Sequence, residues 1–392
     1  MGNQTFMSLI DAASLSLLMP IVVRGLRERE PASKKWSAQI FGSTSQLVQN
    51  VDFMKPYLPM VAPMLEQALF DPVSEVKREA AKTFGVMEQV LPQYSQQKLQ
   101  PWLFGKLRAG EQAEQNGAAL ALAETLTKMD KELAATYIGE LQAGASDAKW
   151  QVRRGFLELM DTMPQAMKMD FAPYIEQLFP PMLMGITGDK DQNEDPGHRA
   201  ALALVQRFGD LCPDRLLDGF EGTYCRTLQH DSPEEASRNA VVREKNVVLL
   251  GKVAEKILEH KKFGQDLLTT EDCSNKATRE RVLVLIFLAR YDADASVKRV
   301  ANGLWKTAGG APKVQKAIMP SVSKTLQKFR GGSKGPGAQK LALEVLDQLV
   351  KAGELEAIED AVPEAPKFQF PPSAERAFEP RKAAECLLLE PV

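Results

Sequence analysis

Asp71-Pro72-Val73-Ser74-Glu75-Val76-Lys77-Arg78 decides the fold. Ahead of it, Pro63 stands six residues before Leu69, and behind Val76 the positions i+4, i+7 and i+8 hold Ala80, Thr83 and Phe84. That pattern is a helix end, a short loop and a second helix with one face turned to a neighbour. Both halves recur. Pro20 to Leu26, Pro101 to Leu107, Pro180 to Ile186 and Pro320 to Leu326 repeat the first spacing, while Val152-Arg153-Arg154, Val297-Lys298-Arg299 and, more weakly, Val242-Arg243 repeat the second.

The residue four after the Val, or its equivalent, is Ser37, Ala80, Ala118, Phe156, Ala200, Asn246, Ala301 and Ala342, at intervals of 43, 38, 38, 44, 46, 55 and 41. Periods of about 40 to 47 residues, with two helices to a unit and no strand-like alternation, predict HEAT or armadillo repeats. A proline within the first helix removes a backbone donor and bends that helix, which favours the HEAT form. The expected fold is all-α: a right-handed α-solenoid of about eight HEAT-type hairpins over residues 1–360, then an irregular tail over residues 361–392. In that tail Pro363, Pro366, Pro371, Pro372, Pro380 and Pro391 accumulate among charges, so it is expected to be extended or disordered. Two units are lengthened, at Thr187 to Pro196 and at Glu259 to Arg281. Such insertions serve either as part of a binding face or as tolerated surface loops.

Charge and cysteine usage set further bounds. The 49 Lys and Arg balance 51 Asp and Glu, so no global basic field advertises nucleic acid. Cys212, Cys225, Cys273 and Cys386 show neither close pairing nor the density of a secreted scaffold, which points to a reducing, cytoplasmic setting. The apolar stretch Leu15 to Val23 is too short to cross a bilayer and has no basic residue before it, so no membrane partner is expected.

A search for chemistry returns little. Gly331-Gly332-Ser333-Lys334-Gly335 lacks the phosphate-loop spacing, and His198, His230 and His260 are scattered. Cys212, Cys225 and His230 make only three candidate zinc ligands, and Asp189, Asp191, Glu194 and Asp195 lack the calcium-loop pattern. The expectation is a binding scaffold that is not an enzyme and holds no cofactor or metal.

The basic doublets carry more. Lys34-Lys35, Lys77-Arg78, Arg153-Arg154 and Lys298-Arg299 each open a second helix, so stacking is expected to align them along one edge, joined near the amino end by Arg24, Arg27 and Arg29. These are the candidate partner-binding residues, suited to RNA phosphates or an acidic protein face. A basic residue at this position also pairs with an Asp of an adjacent HEAT unit, and Asp71 and Asp147 stand nearby. The two roles are compatible.

Leu15-Ser16-Leu17-Leu18-Met19-Pro20-Ile21-Val22-Val23-Arg24-Gly25-Leu26-Arg27-Glu28-Arg29 resembles the segment opening the elongation-factor-three-like HEAT-repeat region of the general control non-derepressible translational activator family. The resemblance continues through Phe70 to Arg78, Pro101-Trp102-Leu103 with Lys106-Leu107, Asn116-Gly117-Ala118-Ala119, and Ser296 to Lys306, and covers about 350 residues. It implies a scaffold in translational control and the stress response, acting through the kinase that phosphorylates the alpha subunit of initiation factor two. The implied partners are the ribosome or ribosome-associated proteins, an ABC-type ATPase and a protein kinase; the basic edge adds rRNA phosphates as an expected contact. The ATPase cassettes of elongation factor three are absent, and nothing here matches the family's kinase-binding section. The Pro-rich ending also departs from the family's continuing repeats, as in a short relative or a fragment. A transport or assembly adaptor with a protein cargo unrelated to translation is the other reading that a HEAT array permits.

Overall fold

Helix formation follows from the apolar spacing, and packing follows from the small residues placed within it. The computed structural model describes residues 9–187, 195–257, 276–307, 312–332 and 334–352. Within them the chain forms eight helical hairpins, as the period predicts. In order these are α1 (Ala12–Arg27) with α2 (Pro31–Leu47), α3 (Leu58–Ala68) with α4 (Ser74–Val90), α5 (Gln100–Ala109) with α6 (Gln112–Lys128), and α7 (Ile138–Ala145) with α8 (Trp150–Met167). There follow α9 (Ile175–Met184) with α10 (Pro196–Phe208), α11 (Pro213–Thr227) with α12 (Pro233–Ile257), α13 (Lys276–Ala289) with α14 (Ala295–Thr307), and α15 (Pro312–Arg330) with α16 (Pro336–Lys351). Met1–Val345 forms one unit; Leu346–Val392 is a second, described only up to residue 352. Among the described residues the one pairing of extended backbone is an isolated bridge between Ile10 and Val48.

The second helices make a continuous row, α2 on α4, α4 on α6, α6 on α8, α8 on α10, α10 on α12 and α12 on α14. The aligned position explains the closeness: Ala80, Ala118, Ala200 and Ala301 are fully buried, and each carries a side chain of one carbon. Glycine does the same at two equivalent points. A Cβ on Gly117 would overlap the carbonyl oxygen of Leu69, and one on Gly155 that of Leu107. Those two leucines are the residues six after Pro63 and Pro101. The two halves of the repeated phrase therefore meet in space, the end of one unit's first helix lying against the second helix of the next.

Proline shapes the first helices as expected. Pro20, Pro63, Pro180 and Pro320 lie inside α1, α3, α9 and α15, while Pro101 sits in the first turn of α5, where a missing N–H costs least. Tighter 3-10 segments, Val51–Tyr57 and Lys168–Tyr174, lead into α3 and α9. Between the rows a core of Phe41, Phe84, Phe156, Phe179, Phe208, Phe287 and Phe329 is fully buried. Most of each expected insertion (residues 188–194 and 258–275) and the expected tail lie outside the described residues, whereas Lys276 to Arg281 form the opening turns of α13. Among the described residues no helix is long and apolar enough to cross a membrane.

Candidate partner-binding edge

Each doublet opens a second helix, and the loop before that helix sets what the doublet touches. Asp71 shows how. Its Oδ1 accepts the Val73 N–H at 2.9 Å, which closes the turn into α4, and its Oδ2 accepts Lys34 Nζ from α2 at 2.6 Å. Burial works to raise the Asp71 carboxyl, but the Lys34 hydrogen bond, the Val73 N–H and the charge of Lys77 bring it below the usual carboxylate value. Lys35 pairs with Glu75 at 2.7 Å, one turn further along α4.

The same joint recurs between the sixth and seventh hairpins with stronger groups. Arg243 Nε meets Asp292 Oδ2 at 2.8 Å, its second amino group reaches Asp292 Oδ1 at 3.2 Å, and its third donor reaches the Thr227 carbonyl at 2.5 Å. Tyr224 Oη donates to Asp292 at 2.6 Å, and burial together with that carboxylate pushes the phenol well above its ordinary value. Asp292 occupies the place of Asp71, five residues before the Val of its helix.

Elsewhere the joint is rewritten. In the third hairpin Gln115 replaces the basic residue; fully buried, it donates to the Leu107 and Gln151 carbonyls at 2.8 Å each and accepts Arg154 Nε at 2.8 Å. Arg153 closes its own loop through the Asp147 and Ala148 carbonyls, both at 2.8 Å, with its guanidinium 5.4 Å from the Trp150 ring centre. Burial, then the like charge of Arg238, lowers the Arg153 pKa. Asp147 thus meets Arg153 through its backbone oxygen, while its Oδ1 accepts the Lys149 N–H at 2.8 Å, as that of Asp71 accepts Val73.

The candidates therefore divide. Lys34, Lys35, Arg153 and Arg154 are half-buried and bound to neighbouring helices or loops. Arg78, Lys298 and Arg299 are exposed, Lys77 is half-buried, and none of the four forms an ion pair with a described residue. The doublets of α2 and α4 stand on adjacent helices; that of α8 lies two helices further along the row and that of α14 three beyond it. Near the amino end Arg27 and Arg29 are exposed, Arg24 lies 3.7 Å from Glu28, and Pro20, Val23, Arg24, Arg27, Glu28 and Met60 line a groove of about 390 Å³.

Two groups escaped the sequence reading. Glu221 on α11 is buried and receives Arg281 at 2.9 Å, Lys328 at 3.0 Å and Lys334 at 3.3 Å. Beside it a groove of about 600 Å³ opens between α11, α13 and α15. A periodicity search does not find a carboxylate whose partners lie 60 and 107 residues away. The second is the charge of α15 itself, visible only when charge is counted by segment: from Ala295 to Leu343 the chain carries ten Lys and Arg and no Asp or Glu. Cys225, also beside Glu221, is a buried thiol pushed up to about 12, mainly by burial, and so behaves as a small apolar side chain. Among the described residues no group of three or more His, Cys, Asp and Glu is placed to hold a metal ion.

Residues 1–98 match the family model described as elongation factor 3/GNC1 HEAT repeat. Protein ILITYHIA of Arabidopsis thaliana is 29% identical over 332 residues, covering 82% of this chain and 12% of that protein. The eIF-2-alpha kinase activator GCN1 of Dictyostelium discoideum is 27% identical over 353 residues, covering 82% and 12%. The stalled ribosome sensor GCN1 of Homo sapiens is 28% identical over 339 residues, covering 81% and 12%. The chain thus spans 12% of the length of each of these relatives. It is a HEAT-repeat region similar to that of GCN1, and the stretch Leu15 to Arg29 that carries the resemblance lies inside the matched residues.

Proposed function

We propose that this chain is a non-catalytic HEAT-repeat scaffold of the cytoplasm that binds ribosomes or translation-regulatory proteins, in translational control and the stress response acting through the initiation factor two alpha kinase. The observation that carries this reading is similarity over four fifths of the chain to a stalled ribosome sensor and a kinase activator. The ribosome is the direct partner in this reading; an ABC-type ATPase and the kinase are reached through it. Residues 1–360 act as the scaffold and 361–392 as a tail outside it.

The edge geometry supports a division of labour. Lys34, Lys35 and Arg154 fix the joints between hairpins and Arg153 closes the loop of its own hairpin, while Arg27, Arg29, Lys77, Arg78, Lys298 and Arg299 supply charge to a partner. Sedimentation of the purified chain with ribosomes through a sucrose cushion tests this. The chain is expected in the ribosomal pellet, and Lys77→Glu with Arg78→Glu is expected to weaken its recovery most at low salt. A chain that stays in the supernatant at every salt concentration refutes the ribosomal reading, and unchanged recovery of the double variant removes these two residues from the edge.

A further inference from the structure

We propose that the outward face of α15 is a binding surface for the phosphate backbone of duplex RNA. The core side of this helix is Val314, Ile318, Met319, Val322, Leu326 and Phe329, all buried. Lys313, Lys316, Lys324 and Lys328 share the opposite face, and all four are exposed. At 1.5 Å per residue the row from Lys313 to Lys328 is about 22 Å long. No acidic residue occurs on α15, nor anywhere from Ala295 to Leu343. Across the groove Asp218, Glu221 and Glu280 of α11 and α13 stand beside Lys324 and Lys328 and offset part of their charge. In a chain of net charge −2 the excess left on this segment is a local field of the kind that gathers a polyanion.

The character of the face selects the partner. Protein interfaces are built on aromatic and apolar anchors and are poor in lysine. Here no large apolar side chain is exposed between Leu211 and Leu343 among the described residues, and the nearby aromatics Trp305 and Phe329 are buried. Single-stranded nucleic acid is held by stacking on exposed rings, which this face lacks. What remains is contact with phosphates by flexible point charges, the mode in which duplex RNA is read by shape without base recognition. Glu221 is a positioning residue: it lies beneath the row and ties Lys328 of α15, Lys334 and Arg281 of α13 to α11, which fixes where the lysine helix stands. The choice of RNA over DNA rests on the translational reading above; the surface itself does not.

Fluorescence anisotropy with the full chain tests this, using a duplex RNA of arbitrary sequence, the matching DNA duplex and polyglutamate as probes, from about 50 to 200 mM salt. The parent chain is expected to bind the RNA duplex and to bind polyglutamate far less well. Lys313→Glu, Lys316→Glu and Lys324→Glu together are expected to raise Kd at least ~10-fold and, at ~0.7–0.9 per lost phosphate contact, to lower the log–log salt slope by ~2–3. The three lysines are solvent-facing, so the melting temperature should hold; the triple Gln variant repeats the test without added negative charge. Unchanged affinity and slope in variants that melt like the parent overturn the proposal, as does equal binding of polyglutamate with equal loss on substitution, which marks an acidic protein instead. Equal binding of the DNA duplex overturns the choice of RNA. Ribosome sedimentation of the same variants separates the two readings: duplex binding without ribosome recovery sinks the translational reading alone, whereas ribosome recovery without duplex binding sinks this one alone.

Discussion

Glu221 shows how one buried side chain can hold three helices and carry a pH signature. Burial alone would raise its carboxyl, but hydrogen bonds from Lys328 and Arg281, with the charge of Lys334, hold it below the ordinary glutamate value. A carboxyl depressed in the folded state contributes its full stability above the unfolded pKa, near ~4.3, and loses it as pH falls through the lower folded value. Glu221→Gln is therefore expected to cost on the order of 2 kcal/mol at neutral pH, as loss of charge-assisted hydrogen bonds does. The gap from the parent should close progressively below about pH 4. Urea unfolding of both proteins across that range measures it; a pH-independent difference contradicts the assignment. The same residue scale explains why Lys34–Asp71 was open to a sequence reading and Glu221 was not. Asp71 stands in a repeated phrase, so its partner is implied by register, whereas the partners of Glu221 come from three elements with no shared spacing.

At the scale of the helix, the close approach of α8 to the end of α5 depends on Gly155. A methyl group there must displace the Leu107 carbonyl or shift α8, and such overpacking costs about 1–3 kcal/mol. Gly303 on α14 is the control, because outside its own stretch of helix backbone nothing lies within 4 Å of a Cβ built on it. Gly155→Ala is expected to destabilise, while Gly303→Ala is expected to stabilise by up to ~1 kcal/mol through helix propensity alone. Thermal melts of the two variants decide it, and a Gly155→Ala protein that melts at or above the parent would show that the tight joint is not rigid. Much of this level was legible in sequence. The eight aligned positions fall on eight second helices, and six of them are Ala or Ser, the small residues that close stacking demands, with Phe156 and Asn246 at the other two. The exceptions are informative. Gln115 takes the basic position of the third hairpin because three partners, two carbonyls and Arg154, converge on it there, a requirement that appears only once the hairpins are stacked.

Across the whole molecule, near-neutral composition concealed the feature that the charge pattern makes most of. With ten basic residues set between Ala295 and Leu343, the rest of the chain carries 39 basic residues against 51 acidic ones. A total of −2 is therefore the sum of two opposed fields, and only segmental counting separates them. Stacking has a mechanical consequence too. In a repeat array most contacts run between neighbouring hairpins, so stability is approximately a sum of unit terms and interface terms, and damage to one interface stays near it. Here Glu221 also ties the sixth hairpin to the eighth through Lys328 and Lys334. Arg243→Met tests that directly. It leaves Asp292, which has no exposed surface, without its guanidinium partner, and breaking a buried pair in this way costs about 3–5 kcal/mol. That loss falls on the joint between the sixth and seventh hairpins. Hydrogen exchange followed by mass spectrometry should show α13, α14 and α15 losing protection while α2, α4, α6 and α8 keep theirs, with a separate early step in urea. Loss of protection spread evenly from α2 to α14 would mean that the array unfolds as one cooperative body, and that its joints are not independent.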